Sequence, residues 1–460
     1  MKKRSVLVMA ASLFCVAALS SCGGTTGSSG DTTTSGGDAT STTAEKVKLT
    51  VWGGELEASQ NWLKKVEASF QTANPGTTFE FTTGAVSESN AKDQLAKDPT
   101  TAADVAIIAD DQLYSLAKTG VAQKIDDIDA TIVSDVKTRN SSISVASSMY
   151  NDGLYAFPVS NSNGYFLYYN SNILSETDCD SFEGILSALK TASLRDGKVY
   201  KLGVPSGSGW YEDGFWHAVG YDAQRDDSTS LMNCDWNSTT KSPTGVQVVE
   251  SLLKLSQGEY ADYWVSDGDS ALMTSTKAGS TYQVVATING TWSASTITDN
   301  YGDGAAATDL PSWTCNGKSY HMNSVGGSKL AIVNSYSSES GWATKFANFL
   351  TNSDNQVDRY NTLAEAPTNT DAAGKVDTSK NYAVAALAKQ GAYAFTLNAN
   401  DQYWAAVPSF FTSVLKTGKS GDTALVTSGT GTSNLTFNET AIQSILDTTV
   451  TAVKAAATAA

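Results

Sequence analysis

The sequence predicts an α/β protein with mainly parallel, doubly wound sheets, and three observations carry that expectation. Strand-like and helix-like periods alternate from Val47 onward, the strands are short apolar runs rather than long alternating ones, and the globular part is longer than one core usually sustains. A chain of 460 residues whose folded portion starts near Val47 is expected to form two domains.

The elements follow in order. Val47 to Trp52 (VKLTVW) reads as a buried strand. Ala58 to Asn74 carries Trp62, Val66 and Phe70 at helical spacing and is stopped by Asn74-Pro75-Gly76. Thr77 to Thr83 alternates as a strand, Ser87 to Lys97 reads as a polar helix, and Asp104 to Ile108 (DVAII) reads as a strand covered on both faces. A helix from Gln112 to Lys118 is closed by Gly120. Near the middle of the chain, Tyr155 to Pro158 and Gly164 to Asn170 read as strands. Tyr168-Tyr169 resembles a ferric-iron pair, but alternation along a strand sends the two rings to opposite faces, so both are expected in the core. Helices are expected at Asp180 to Leu189 and Pro243 to Gln257, and a strand at Val284 to Ile288 that leads into Asn289-Gly290-Thr291-Trp292.

In open α/β sheets, ligands bind beyond the carboxyl ends of the strands. That rule selects Glu55 in Gly53-Gly54-Glu55-Leu56-Glu57 and Asp111 in Ala109-Asp110-Asp111. An acid at the second position also fits a helix N-cap, worth about 1 kcal/mol.

The first residues carry an address. Lys2, Lys3 and Arg4 precede an apolar run from Ser5 to Leu19 that is short for a membrane span, so residues 1–21 read as an export signal. Leu19-Ser20-Ser21-Cys22 resembles a lipobox, which makes Cys22 a lipidation site. Gly23 to Lys46 is nearly all Gly, Ser, Thr and small acids and is expected to be a disordered tether spanning roughly 25 to 30 Å. No second apolar stretch is long enough to span a membrane. The expected location is the outer face of the cell membrane.

Composition narrows the ligand. The whole chain has net charge −16, and removing the first 21 residues, with their three cations, leaves −19, so nucleic acid is excluded. Two histidines and no CxxC or HExxH spacing argue against a transition metal, and no cofactor is expected. Cys179, Cys234 and Cys315 are compatible with one disulfide and a free thiol, in a pairing the sequence does not assign. Ten Trp and nineteen Tyr suit a ligand with flat apolar faces, although most must serve the core.

Several stretches, in order, resemble one family. They are LTVWGG, DVAIIADDQLYSLAKTGVAQKID, LYAFPVSNSNGYFLYYNSNIL, TINGTWSASTI followed by LPSW, GGSKLAIVNSYSSESGWATKFANFLTN, and DQYWAAV. Together the chain resembles the extracellular solute-binding proteins of ABC importers, in the maltose/oligosaccharide-binding group of bacterial lipoproteins. The resemblance implies a two-lobe periplasmic-binding-protein-like fold, with doubly wound sheets joined by crossover hinge segments. It implies lobe one at 47–160 plus 322–365 and lobe two at 161–321 plus 366–460, with residues 22–46 left as lipidated Cys and tether.

It also implies site residues. Trp292 and Trp404 fall on stacking tryptophans, Asp111 on an acid that binds sugar hydroxyls from the opposite lobe, and Glu55 in a loop where the family also has an acid. The chain departs from the pattern at Ile108, in place of a Trp, and at Asn163, in place of a cleft Glu. Trp210, Tyr211 and Asp213, in the loop Gly209-Trp210-Tyr211-Glu212-Asp213, are expected to compensate. The implied activity is non-catalytic capture of an oligosaccharide of the maltose/maltodextrin class by a monomeric, lipid-anchored receptor that delivers it to permease subunits. The alternatives are another cargo, such as a different oligosaccharide or a polyamine, and a glycoside-acting enzyme. Adjacent Glu212-Asp213 does not supply the separated carboxyl pair that glycosidases need.

Overall fold

The computed structural model describes residues 45–226, 229–267, 272, 279–429 and 434–456. The export signal, Cys22 and the tether up to residue 44 lie outside the described residues. The first strand, Glu45–Gly53, includes two residues ahead of the expected Val47: it pairs with Thr77–Ala85 over its whole length, and Lys46 reaches Glu80 at 2.7 Å.

Two five-stranded sheets organise the chain. The first runs Thr77–Ala85, Glu45–Gly53, Val105–Ala109, Lys329–Val333, Ala156–Ser160, and the second runs Trp264–Val265, Val199–Gly203, Tyr282–Asn289, Phe166–Asn170, Ala305–Thr308. In each, three neighbouring strands are parallel and one strand is inserted antiparallel: Lys329–Val333 in the first and Phe166–Asn170 in the second. Each inserted strand is the first that the chain lays down after crossing from the other sheet. Helices cover the faces, as burial of both sides of these strands requires. Tyr168 and Tyr169 are both buried and belong to separate cores on opposite faces of the second sheet.

Local chemistry sets the element ends. Helix Glu57–Ala73 buries Trp62, Leu63, Val66 and Phe70, which lie on one stripe. The polar helix expected from Ser87 shrinks to Ala91–Lys97, because Gln112 holds the preceding loop by donating to Ser89 O at 2.6 Å and accepting from Lys92 N at 3.0 Å. Helix Phe182–Asp196 runs seven residues past the expected Leu189. Ser181 caps its start, and Gly197 ends it at φ 64°. Cys179, Cys234 and Cys315 are buried free thiols, so the structure forms no disulfide among them.

The segments that connect the two halves run side by side. Asn161 N donates to Ala366 O at 2.7 Å, Asn163 N to Gly327 O at 3.2 Å, and Ala366 N to Ser162 Oγ at 3.0 Å. Beyond Ala366 the chain turns back onto the first half: Thr368 Oγ1 donates to Asn140 Oδ1 at 2.9 Å, and helix Thr370–Ala373 packs on Ser353–Leu363. Residues 366–373 therefore side with lobe one, whereas the sequence reading placed them with lobe two. Gln356 causes this, since its amide is satisfied by the backbone of Pro158, Thr351, Thr368 and Asn369.

Beneath the crossings lies a buried charge network. Lys329 Nζ sits 2.6 Å from Glu365 and 3.2 Å from Glu88, Arg359 Nε lies 2.8 Å from Glu365, and Ser160 Oγ donates to Glu365 at 2.8 Å. Arg359, Lys329 and Glu365 are 1, 6 and 5 % exposed. Burial alone would raise the Glu365 carboxyl, but Arg359 and Lys329 outweigh it and hold it at about 2. Among the described residues no helix is long and apolar enough to cross a membrane.

Glu365→Ala leaves two buried cations short of a partner and is expected to lower stability by about 3 to 5 kcal/mol in urea unfolding. Because the folded carboxyl is depressed, its contribution is complete above its unfolded value, near 4, and fades as pH falls towards about 2. Thermal melts from pH 6 to 2 should therefore fall more steeply for the parent than for Glu365→Gln.

Candidate functional site

Beyond the carboxyl end of Val105–Ala109 the chain turns through Asp110–Gln112 into helix Leu113–Lys118, with no side-chain cap at either start. Asp110 is used otherwise. Its carboxylate accepts from Asn163 Nδ2 at 2.7 Å and from Ser328 N at 2.9 Å, so it ties the strand end to two crossing segments. Asn163, 8 % exposed, is thus engaged in the hinge.

Asp111 instead lines a cavity of about 150 Å³. From the first lobe the cavity is lined by Ser89, Lys92, Asp93, Asp111, Gln112, Tyr114 and Ser115, and from the second by Ala399, Asp401 and Trp404. Burial and the neighbouring Asp110 raise the Asp111 carboxyl to about 7, against the pull of Lys92. Lys92 Nζ reaches across to Asp401 at 3.9 Å. Trp404 stands in helix Asp401–Phe411, half-buried, edge-on to Tyr403 at 4.9 Å and packed on the second-lobe core. Asn400 caps that helix and so fixes its first turn, which carries both Asp401 and Trp404.

A second aromatic patch lies on the same lobe. Trp292 occupies the turn Thr291–Ser293, and its indole folds over Gly290, where any Cβ would stand 2.1 Å from the ring. Trp210 is 5.9 Å from Trp292, and Tyr165 is 4.7 Å from Trp210 and 4.9 Å from Tyr211. The Tyr165 hydroxyl is shared between the Trp210 and Tyr211 carbonyls at 3.0 Å each. The supporting loop is organised from within by Glu212. Its carboxylate accepts from the backbone of Gly207 and, at 2.9 Å, from Gly209 N, while burial raises its pKa to about 7. Gly209 adopts φ 80° there, facing Val407.

Two of the sequence-selected acids lie apart from these patches. Asp213 is 2 % exposed and is turned into the lobe, where burial and Asp222 push its carboxyl well up. Glu55 is exposed in the loop after the first strand, and the cavity lining does not include it. The structure thus brings Asp111 and Trp404 to one cavity and Trp210, Tyr211 and Trp292 to one patch.

The sequence reading did not single out Tyr114, Lys92, Asp93 or Asp401. A signal existed for them: Asp111, Tyr114 and Ser115 stand at i, i+3 and i+4, as do Ser89, Lys92 and Asp93, which places each set on one face of a turn. Among the described residues no group of three or more His, Cys, Asp or Glu is placed to hold a metal ion.

Residues 65–386 match the profile of the bacterial extracellular solute-binding protein family. The chain belongs to that family. The expected two-lobe α/β fold is met as well. A solved structure determined with acarbose is 26 % identical, with a TM-score of 0.71 over 88 % of this chain and 98 % of the other. The maltodextrin-binding protein MalE1 from L. casei BL23, without ligand, is 19 % identical, with a TM-score of 0.70 over 89 % and 99 %. MalE from Listeria monocytogenes, in complex with maltose, is 18 % identical, with a TM-score of 0.64 over 89 % and 97 %. No curated protein sequence matches. For a solute-binding protein of this fold, the cavity of Asp111 and Trp404 lies where ligands of α/β sheets bind, beyond the strand ends.

The raised Asp111 carboxyl has a testable sign. An acid whose pKa rises on folding stabilises most at low pH, and that contribution is lost as pH climbs from about 4 towards about 7. Asp111→Asn is expected to raise the melting temperature at pH 8 and leave it unchanged at pH 4, as read by differential scanning calorimetry.

Proposed function

We propose that this solute-binding protein is the lipid-anchored receptor of an ABC importer and that it captures an oligosaccharide of the maltodextrin class between its lobes. The observation that carries this reading is that an indole, Trp404, and a carboxyl, Asp111, from different lobes line one cavity. Pyranose rings offer C–H faces to an indole and hydroxyls to carboxylates, and only a closed cleft supplies both at once. The names of the structural relatives, maltodextrin-binding and maltose-bound, support the same ligand class.

Trp292, Trp210 and Tyr211 would extend the stacking surface. Glu55 and Asn163 would act at most from the loop and hinge around it, and Asp213, buried in its lobe, would support the surface from beneath. A volume of about 150 Å³ is below the 300 to 1,000 Å³ usual for ligand pockets, so the lobes separate to admit a sugar and the ligand then favours closure. Cys22 would carry the acyl anchor, keeping a monomeric receptor beside its permease subunits. The protein would perform no chemistry on its cargo.

Three aspartates in the lining favour a cationic cargo such as a polyamine as the second reading. A fluorescence and thermal-shift panel of maltose, maltotriose, longer maltodextrins, β-glucans, xylo-oligosaccharides and spermidine separates the two. Saturation at a hundred times Kd stabilises by about 2.7 kcal/mol. Maltodextrins are expected to respond, and Trp404→Ala and Trp292→Ala to weaken them by about 2 kcal/mol, roughly 30-fold. A response to spermidine alone, or unchanged sugar affinity in both variants, would sink the proposal.

A further inference from the structure

The first lobe lacks a tryptophan at Ile108, but it brings a different aromatic to the cleft. Tyr114, three residues after Asp111, lines the cavity. Its orientation is set within its own lobe: Tyr150 meets it edge-on at 5.7 Å, and Tyr155 braces Tyr150 at 5.6 Å. The Tyr114 hydroxyl is buried and has no hydrogen-bond partner among the described residues, a state that proteins rarely leave uncompensated.

The Tyr114 ring is covered from the other lobe. The guanidinium carbon of Arg225 stands 3.5 Å from its centroid, while Lys118 Nζ, from Tyr114's own helix, is 5.4 Å away. Arg225 closes strand Ala223–Arg225, and its backbone N donates to Asn398 O at 2.7 Å. Gln224 binds Thr396 O and Asn398 N at 3.0 Å each. Arg225 is therefore built onto the segment that leads directly to Ala399, Asp401 and Trp404, the second-lobe wall. A guanidinium at 3.5 Å leaves no room for a sugar ring on the same face.

We propose that Tyr114 is a ligand-binding residue of the first lobe and that Arg225 occupies its ring in this closed arrangement, so that saccharide and Arg225 compete for one face. This rests on the saccharide reading for the ligand but not for the interlobe contact. The contact holds part of the population in a closed form that has to open before binding, and apparent affinity falls by the fraction withheld.

The test combines maltotriose titration of the full-length protein, its Arg225→Ala, Arg225→Gln and Tyr114→Leu variants and the Arg225→Ala/Tyr114→Leu double variant with a sugar-free interlobe distance. Labels at the exposed Asp354 and Thr448 report that distance. Removing Arg225 is expected to tighten maltotriose binding about 2- to 30-fold, the range for a cation on a tyrosine face, and to lengthen the sugar-free distance. Tyr114→Leu is expected to weaken binding and to abolish the effect of Arg225→Ala. Unchanged or weaker binding in both Arg225 variants overturns the proposal, as does an equal Arg225 effect with and without Tyr114. Should maltotriose leave the parent protein unmoved, the saccharide reading fails by itself. The distance then decides the contact, lengthening in support of it and constancy against it.

Discussion

A lysine ammonium placed where water does not reach has to find carboxylates, and in this chain the search is answered at one place. Lys329 begins the strand that returns from the second lobe, Glu365 precedes the Ala366 segment that pairs with Asn161, and Ser160 ends the strand from which the first crossing departs. Their mutual contacts, with Glu88 and Arg359, bring these two crossings and the Ala366 segment together at one end of the first sheet. A buried network of this kind is weak evidence of net stability, since desolvation opposes it, but once formed it tolerates little displacement. The register it imposes sets Gly327 and Ser328 against Asp110, and so directs Asp111 into the cleft.

The two lobes contribute unlike chemistry. The second presents aromatic surface in two patches, each fixed from below: Trp404 by a capped helix, and Trp210 with Tyr211 by the internally bonded Glu212 loop and the Tyr165 hydroxyl. The first presents mainly polar and acidic groups from two short turns. A ligand with apolar faces and a polar rim gains from both only when the lobes approach, which is the thermodynamic condition for closure by ligand. Arg225 on Tyr114 and Lys92 near Asp401 are contacts that the lobes make with each other in the same region.

Most of the fold was legible because its signals are local. The strands Glu45–Gly53, Thr77–Ala85 and Val105–Ala109 and the intervening helix show their periods within a dozen residues, and β-α alternation implies a parallel sheet. The misread stretches share a different cause. Residues 366–373 follow lobe one because Gln356 bonds backbone on both sides of it, and Asp213, expected to compensate at the sugar site, is buried in its lobe. Neither follows from neighbours in sequence.

The acidic balance and the alternating elements are written in composition and short-range pattern, so they were legible in the sequence without any knowledge of the packing. Only packing reveals that Asp111 and Trp404 line one cavity, that Asn163 serves Asp110, and that Arg225 lies on Tyr114. Those pairs are separated by tens to hundreds of residues. Their meeting depends on where buried charges and backbone groups find partners, which no local period encodes.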